Sequence, residues 1–269
     1  MNMKVNGRTY FVNTAGKGEP LLFLHGFTGD HTTWDEIVSK LQNEYQCIAI
    51  DILGHGKSAH PANSEEYRIE TIAADVIDLL NKLNIGKVNV IGYSMGGRLA
   101  LTMAVLYPKR IKRLMLESSS PGLKTEAERA ARRKHDHVLA EKILKEGIRS
   151  FVDDWEKLPL FASQSKLPLE TRKKIREQRL RQHPIGLANS LKGMGTGAQP
   201  SWWGQLDRLT MPVLLVTGSL DGKFKKIAQE MNEILPNGHW KEIEGAGHAI
   251  HVEDHKIFGT IISEFMNHT

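Results

Sequence analysis

The sequence contains a single cysteine, Cys47, among its 269 residues. One thiol cannot form an intramolecular disulfide, which excludes the disulfide-stabilised secreted classes. Cys47 lies in the apolar run YQCIAI, so we expect a buried and unreactive side chain. A reducing cytoplasm is therefore the expected compartment.

Long apolar runs are also absent. No stretch reaches the ~18 consecutive apolar residues that a membrane-spanning helix needs. The first ten residues, MNMKVNGRTY, contain no apolar region of the kind found in signal peptides. We therefore expect no stable membrane insertion. Internal repeats and low-complexity linkers are missing too. A length of 269 residues fits one large domain, or a core with an insertion, better than two independent domains.

Charge is unevenly distributed along the chain. Lys and Arg number 36 against 31 Asp and Glu, but the segment 124–205 alone holds 17 basic and 10 acidic residues. Its excess of +7 leaves −2 for the remainder of the chain. A basic excess can indicate nucleic acid, an anionic surface or an anionic small molecule. The 10 acidic residues and the absence of a nucleic-acid motif argue against nucleic acid as a partner.

Short apolar runs alternate with helical patterns in the first part of the chain. The predicted strands cover 20–25, 46–51, 88–92 and 111–117, and the predicted helices cover 34–41, 69–83 and 95–106. Such alternation is typical of a mostly parallel sheet with helices on both faces, the α/β class. Residues 4–13 are more polar and predict an antiparallel edge strand or hairpin.

The alternation stops between residues 118 and 205, where helical, charged and aromatic stretches replace the apolar runs. It resumes with a strand at 212–217, a helix at 224–235, a strand at 240–243 and a final helix at 252–266. We therefore predict a core made of 1–117 and 206–269, with a helical lid at 118–205.

A nucleophile motif follows the predicted strand at 88–92. Gly92-Tyr93-Ser94-Met95-Gly96 has the G-x-S-x-G pattern between a strand and a helix, where a serine occupies a strained turn. The residues two before and two after it must be small to avoid steric clashes. Ser94 is therefore the candidate nucleophile.

A serine needs a base, and the base needs an acid that orients it. Asp221 follows the strand at 212–217, and His248 follows the last strand in the glycine-rich stretch EGAGH. Two rivals are weaker, because Asp51 belongs to a predicted structural turn and His251 suits a helix. A zinc site on HVEDH is disfavoured, because zinc peptidases need Glu directly after the first His.

The motifs together resemble the α/β-hydrolase superfamily from end to end. They are His25-Gly26-Phe27, Asp51…Gly54-His55-Gly56-Lys57-Ser58, Gly92-Tyr93-Ser94-Met95-Gly96-Gly97, Asp221 and Gly245-Ala246-Gly247-His248. More narrowly, the chain resembles the 2-succinyl-6-hydroxy-2,4-cyclohexadiene-1-carboxylate synthase family of menaquinone biosynthesis. That resemblance rests on Ser94-Met95-Gly96-Gly97-Arg98, on the run from Phe151 to Ser163, and on the arginines of Ala130-Ala131-Arg132 and Glu177-Gln178-Arg179.

The resemblance implies a carbon–oxygen lyase that uses its triad as a base to eliminate pyruvate from a small tricarboxylate. The backbone N–H groups of Phe27 and Met95 would form the oxyanion hole. The implied carboxylate ligands are Arg98, Arg132 and Arg179, with Tyr93 and Trp155 packing on the substrate ring. No cofactor and no metal are implied, and we expect a monomer.

Two other functions are compatible with the same residues. The first is a serine hydrolase that acts on an ester, thioester or C–C bond of a small anionic substrate. The second is a non-catalytic binding protein of the same fold. Intact Ser94, Asp221 and His248 argue against the second.

Overall fold

The computed structural model describes residues 1–267 of the chain. An eight-stranded sheet with strand order β1-β2-β4-β3-β5-β6-β7-β8 runs through the molecule. The strands are β1 Asn2–Val5, β2 Arg8–Ala15, β3 Glu19–Leu24, β4 Tyr45–Ile50, β5 Val88–Tyr93, β6 Ile111–Glu117, β7 Val213–Gly218 and β8 Gly238–Ile243. The β1–β2 and β2–β4 pairs are antiparallel, and the remaining pairs are parallel.

Burial explains which segments form strands. Every residue of β5 and of β7 is buried, as expected for central parallel strands covered on both faces. The edge strand β8 instead carries polar and partly exposed residues. The β1–β2 hairpin turns at Asn6 and Gly7, which both have positive φ, as a two-residue type I′ turn requires.

Helices cover both faces of the sheet. They are α1 Asp35–Leu41, α2 Ile69–Lys82, α3 Met95–Leu106, α4 Glu126–Trp155, α5 Leu169–Leu180, α6 Pro184–Met194, α7 Gly222–Ile234, α8 Ile250–Glu253 and α9 His255–Asn267. Apolar residues of α2, α3 and α7 pack in one buried cluster, and those of α1 and α9 pack in another on the opposite face. The predicted α/β class, with helices on both faces of a mostly parallel sheet, is confirmed.

The predicted final helix at 252–266 is two helices. Asp254 has φ −145° and ψ 77°, which interrupts the helical backbone between α8 and α9. The Asp254 carboxylate accepts a hydrogen bond from the Ile257 N–H at 2.9 Å. An aspartate that caps a new helix in this way accounts for the break.

The connection from β6 to β7 contains α4, α5 and α6 and a 3₁₀ segment, Pro159–Lys166. Helix α4 is interrupted at Gly147, whose backbone is not helical (φ 82°, ψ 172°). A small apolar cluster joins α4 to α6, and its buried members are Ala140, Ile143, Phe151, Val152, Leu187, Ala188 and Leu191. The division into a core and a lid at 118–205 stays a prediction. Among the helices within residues 1–267, none is long and apolar enough to cross a membrane.

Candidate active site

Ser94 lies in a sharp turn between β5 and α3. Its backbone has φ 49° and ψ −105°, a conformation that non-glycine residues rarely adopt. A Cβ atom at Gly92 would lie 2.6 Å from the Gly96 carbonyl oxygen, and a Cβ atom at Gly96 would collide with the Leu24 carbonyl. The glycines of the motif therefore make the close approach around Ser94 possible, and the strain is concentrated at the predicted nucleophile.

Ser94, His248 and Asp221 come together as a hydrogen-bonded chain. Ser94 Oγ lies 3.0 Å from His248 Nε2, and His248 Nδ1 lies 2.6 Å from Asp221 Oδ2. His248 is 2% exposed and Asp221 is 6% exposed, so water competes little for these bonds. The carboxylate can accept only from Nδ1–H, which leaves Nε2 free to accept the Ser94 proton. The geometry suits a serine activated by a histidine base.

Asp51 and His251, the two rivals for triad roles, are occupied elsewhere. Asp51 accepts hydrogen bonds from the His31 N–H at 2.6 Å and the Lys57 N–H at 2.7 Å, and so holds a turn. His251 lies in α8, and its Nδ1 is 2.7 Å from a Glu117 oxygen. The structure therefore places neither residue in contact with Ser94.

The pair of Glu117 and His251 lies directly behind the nucleophile turn. Both side chains are buried, and Glu117 also accepts from the His251 N–H at 3.1 Å. The Glu117 carbonyl accepts from the Ser94 N–H at 2.9 Å. Strand β6 is thus tied both to Ser94 and to the helix that follows the His248 loop.

One potential metal-ligand cluster occurs in the part of the chain that the structure describes, and it is not on the HVEDH sequence. Asp30, His31 and Asp51 have ligand atoms close to one another. Asp30 Oδ1 accepts from Thr32 N at 2.9 Å, and Asp51 Oδ1 accepts from the His31 backbone at 2.6 Å. These oxygens already hold the loop through protein hydrogen bonds.

A cavity of about 370 Å³ opens above Ser94 and His248. Phe27 and Met95 line it, as do Tyr93 and Trp155. Met95 is the first residue of α3, so its N–H has no intrahelical acceptor and is available for a bound oxyanion. The roles of the Phe27 and Met95 N–H groups as oxyanion donors, and of Tyr93 and Trp155 against a substrate ring, stay predictions.

The cavity wall is cationic. Its lining within residues 1–267 includes three basic side chains, Arg98, Arg132 and Lys223, and no Asp or Glu. A site of this composition favours anionic ligands, because guanidinium and ammonium groups donate charge-assisted hydrogen bonds to carboxylates. Arg98 and Arg132 were both predicted from the sequence, whereas Lys223 was not.

Arg98 is held in place before any ligand binds. Its Nη1 donates to the Met194 carbonyl at 2.7 Å and to Gln199 Oε1 at 2.5 Å. Burial, and then the positive charge of Arg132, lower the pKa of the Arg98 guanidinium to about 10. Arg132 Nε donates to Asp136 at 2.8 Å. Two preorganised guanidiniums therefore face the space above Ser94.

Arg179 lines a second cavity, of about 600 Å³, rather than the one above Ser94. It is 6% exposed, and its guanidinium lies 3.4 Å from Glu156 and 3.2 Å from Gln164. The guanidinium carbon lies 4.8 Å from the ring centre of Phe161, which lines both cavities. The two cavities share Phe161 and Tyr93 as lining residues, and the role of Arg179 as a substrate ligand stays a prediction.

Two site residues escaped the sequence analysis. Lys223 follows Asp221 by two positions, so its place beside the predicted acid was a usable signal. Gln199, which holds Arg98, lies 101 positions away along the chain, and no local pattern distinguishes it.

Residues 19–255 match the α/β hydrolase fold family. One relative is a protein of Bacillus subtilis (strain 168) named as a candidate 2-succinyl-6-hydroxy-2,4-cyclohexadiene-1-carboxylate synthase. It is 45% identical to this chain over 263 residues, which cover 97% of this chain and 96% of the relative. The synthase of that name from Citrobacter koseri is 34% identical over 247 residues, covering 90% and 92%. The solved structure of MenH from S. aureus superposes with a TM-score of 0.91 at 39% identity, covering 96% of this chain and 97% of that chain.

Proposed function

The chain belongs to the α/β-hydrolase fold family and, within it, to the family of 2-succinyl-6-hydroxy-2,4-cyclohexadiene-1-carboxylate synthases, and we propose that it catalyses the reaction of that name in menaquinone biosynthesis. The substrate would be 2-succinyl-5-enolpyruvyl-6-hydroxy-3-cyclohexene-1-carboxylate, and the second product would be pyruvate. The observation that carries the proposal is the cavity above Ser94, whose lining within the described residues 1–267 has three Arg or Lys side chains and no Asp or Glu. The substrate has three carboxylates, so its charge complements that lining.

The first step is removal of the ring proton at C2, beside the succinyl ketone. His248, oriented by Asp221, takes the proton of Ser94, and the Ser94 oxygen takes the C2 proton. The 3.0 Å separation of Ser94 Oγ and His248 Nε2 permits that relay without movement of either residue. Negative charge develops on the ketone oxygen, where the N–H groups of Phe27 and Met95 would stabilise it.

The second step breaks the bond between C5 and the enolpyruvyl oxygen. The electron pair of the enolate returns to form the C2–C3 double bond, the ring double bond shifts from C3–C4 to C4–C5, and the leaving oxygen takes the bonding pair. Protonated His248 then supplies a proton to the departing enolate oxygen, and the resulting enolpyruvate tautomerises to pyruvate. The products are the 2,4-diene and pyruvate, and the triad is restored without an acyl-enzyme intermediate.

The proposed carboxylate ligands are Arg98, Arg132 and Arg179. Arg98 is fixed by Met194 and Gln199, which supports a positioning role close to the reacting centre. Tyr93 and Trp155 would pack against the ring from the cavity wall. We also propose that the segment 118–205 acts as a lid over a core of 1–117 and 206–269. A cytoplasmic monomer is proposed as the working form, and the buried, solitary Cys47 is compatible with it.

Pyruvate release tests the proposal directly. The purified protein is supplied with the enolpyruvyl substrate, and pyruvate is measured by coupling to lactate dehydrogenase. We expect stoichiometric pyruvate and the diene, both lost in Ser94→Ala. Aryl esters serve as the discriminating control. Efficient ester turnover with a burst of acyl-enzyme, and no pyruvate, would indicate a serine hydrolase instead.

A further inference from the structure

We propose that Lys223 is a substrate-binding residue, which holds a carboxylate together with Arg132 at the mouth of the Ser94 cavity. The inference rests on the proposed function, because that function supplies a ligand with more than one carboxylate. The inference adds Lys223 to the site, a cation that lies outside the sequence motifs described above.

The position of Lys223 ties it to the reacting centre. It lies in the first turn of α7, directly after the glycine that follows Asp221, and it lines the cavity above Ser94. The neighbouring residue Phe224 also lines that cavity, and its ring centre lies 4.7 Å from that of His248. A carboxylate bound at Lys223 would therefore belong to the molecule that His248 acts upon.

Electrostatics make Lys223 costly unless an anion binds beside it. A cation in the first turn of a helix opposes the positive end of the helix dipole. Asp221 caps α7, but its carboxylate is already engaged by the Phe224 N–H and by His248. Lys225 in the same helix pairs with Glu242 at 2.8 Å. No carboxylate within residues 1–267 forms a corresponding ion pair with Lys223.

Arg132 adds to that cost. Lys223 is exposed at the cavity mouth, yet partial desolvation lowers the pKa of its ammonium group, and the charge of Arg132 lowers it further. Arg132 uses its Nε to bind Asp136, which leaves its two terminal amino groups for a ligand. An anion between the two side chains would relieve their repulsion and gain hydrogen bonds from both.

The charge balance of the site sets the class of ligand. Arg98, Arg132 and Lys223 line the cavity, Asp136 pairs with Arg132, and the triad carboxylate of Asp221 lies near Lys223, which leaves an excess of one positive charge. A ligand with at least one carboxylate neutralises that excess. A neutral ester would leave it uncompensated, so Lys223 would select for anionic substrates.

The test compares Lys223→Gln, Lys223→Arg and the control Lys226→Gln, which removes the same charge from an exposed position of α7 outside the cavity lining. Two quantities are measured: KM and kcat for pyruvate release, and the Kd of propane-1,2,3-tricarboxylate by calorimetry at low salt. We expect Lys223→Gln to raise KM and Kd by about 2- to 5-fold, the range for a partly exposed charge pair, and to leave kcat unchanged within error. Lys223→Arg should restore both values, and Lys226→Gln should match the wild type.

Unchanged KM and Kd in Lys223→Gln would overturn the inference, and so would an equal change in Lys226→Gln, which would indicate bulk charge. The two proposals can fail separately. A wild type that releases no pyruvate but binds the tricarboxylate through Lys223 refutes the proposed function and leaves the Lys223 site standing. A wild type that does neither refutes both.

Discussion

Replacing Asp221 with Asn is the sharpest test of the site, because it removes one charge and almost no volume. Asp221 Oδ2 lies 2.6 Å from His248 Nδ1, and both residues are buried. An asparagine can donate its amide N–H to Nδ1, which would force the imidazole proton onto Nε2. The base would then be unable to accept the proton of Ser94.

The size of the effect follows from that separation. Two unit charges about 2.6 Å apart attract by roughly 6 kcal/mol at an effective dielectric constant of ~20, which is an upper limit for stabilisation of the imidazolium. The asparagine dipole recovers part of it, so we expect the barrier to rise by about 4–6 kcal/mol and kcat to fall about 10³- to 10⁴-fold.

The assay is pyruvate release, with the exposed substitution Asp207→Asn as the matched control. The fold should persist in Asp221→Asn, because asparagine can also cap α7 through the Phe224 N–H. Unchanged circular dichroism with a near-wild-type rate would refute the triad, since Asp51 is engaged with His31 and Lys57 and cannot replace the acid.

Three further predictions concern binding, the lid and pH. Arg98→Ala should lower kcat/KM for pyruvate release by a factor that corresponds to about 2–4 kcal/mol, because a substrate carboxylate loses its partner in a desolvated site. Arg98→Lys should restore kcat/KM only partly, and the control Lys173→Ala on the surface of α5 should change kcat/KM little. Replacing 120–204 by a short linker should abolish pyruvate release while circular dichroism still reports a folded α/β core, and full activity of the shortened chain would contradict the lid assignment. Burial, and then the charge of His25, lower the pKa of His55 to about 3, so this residue stays neutral in the folded state while it is protonated below pH ~6.5 in the unfolded state. The contribution of neutral His55 to the free energy of unfolding is therefore fully present above pH 6.5 and is lost as the pH falls towards 3, with a loss of about 2 kcal/mol at pH 5. Urea titration at pH 8 and pH 5 can measure this loss in the wild type, in His55→Asn and in the exposed control His239→Gln. An equal loss in all three proteins would contradict the assignment.

The sequence predicted the central strands to within a residue or two, because strands buried on both faces are short apolar runs with clear ends. β5 was expected at 88–92 and covers Val88–Tyr93. The final helix was predicted less well. Its apolar spacing continues across Asp254, and only the side-chain cap on Ile257 shows where the second helix begins.

The site was predictable where function depends on local sequence. Ser94, Asp221 and His248 each follow a strand, and the carboxyl ends of parallel strands meet at one edge of the sheet. The place of Arg132 in the cavity wall depends on how the β6–β7 connection folds over that edge. Arg179 lines the second cavity beside Phe161, so its role as a substrate ligand stays a prediction. Lys223, which lines the first cavity, was not predicted, because no periodicity shows which long side chain faces a cavity.

The long connection between β6 and β7 has a consequence for the order of folding. Glu117 pairs with Val216, so adjacent strands of the sheet are joined only after the 98 residues between them have been closed into a loop. The entropy of closing such a loop grows slowly with length, by about 0.6 kcal/mol for each doubling, so the final sheet tolerates the connection. Its effect is larger on rate, since non-local strand pairing slows folding. Ser94 precedes this junction and Asp221 and His248 follow it, so during refolding the nucleophile turn can form before its base arrives. Recovery of catalytic activity is then expected in the slowest kinetic phase, after most helical signal has returned.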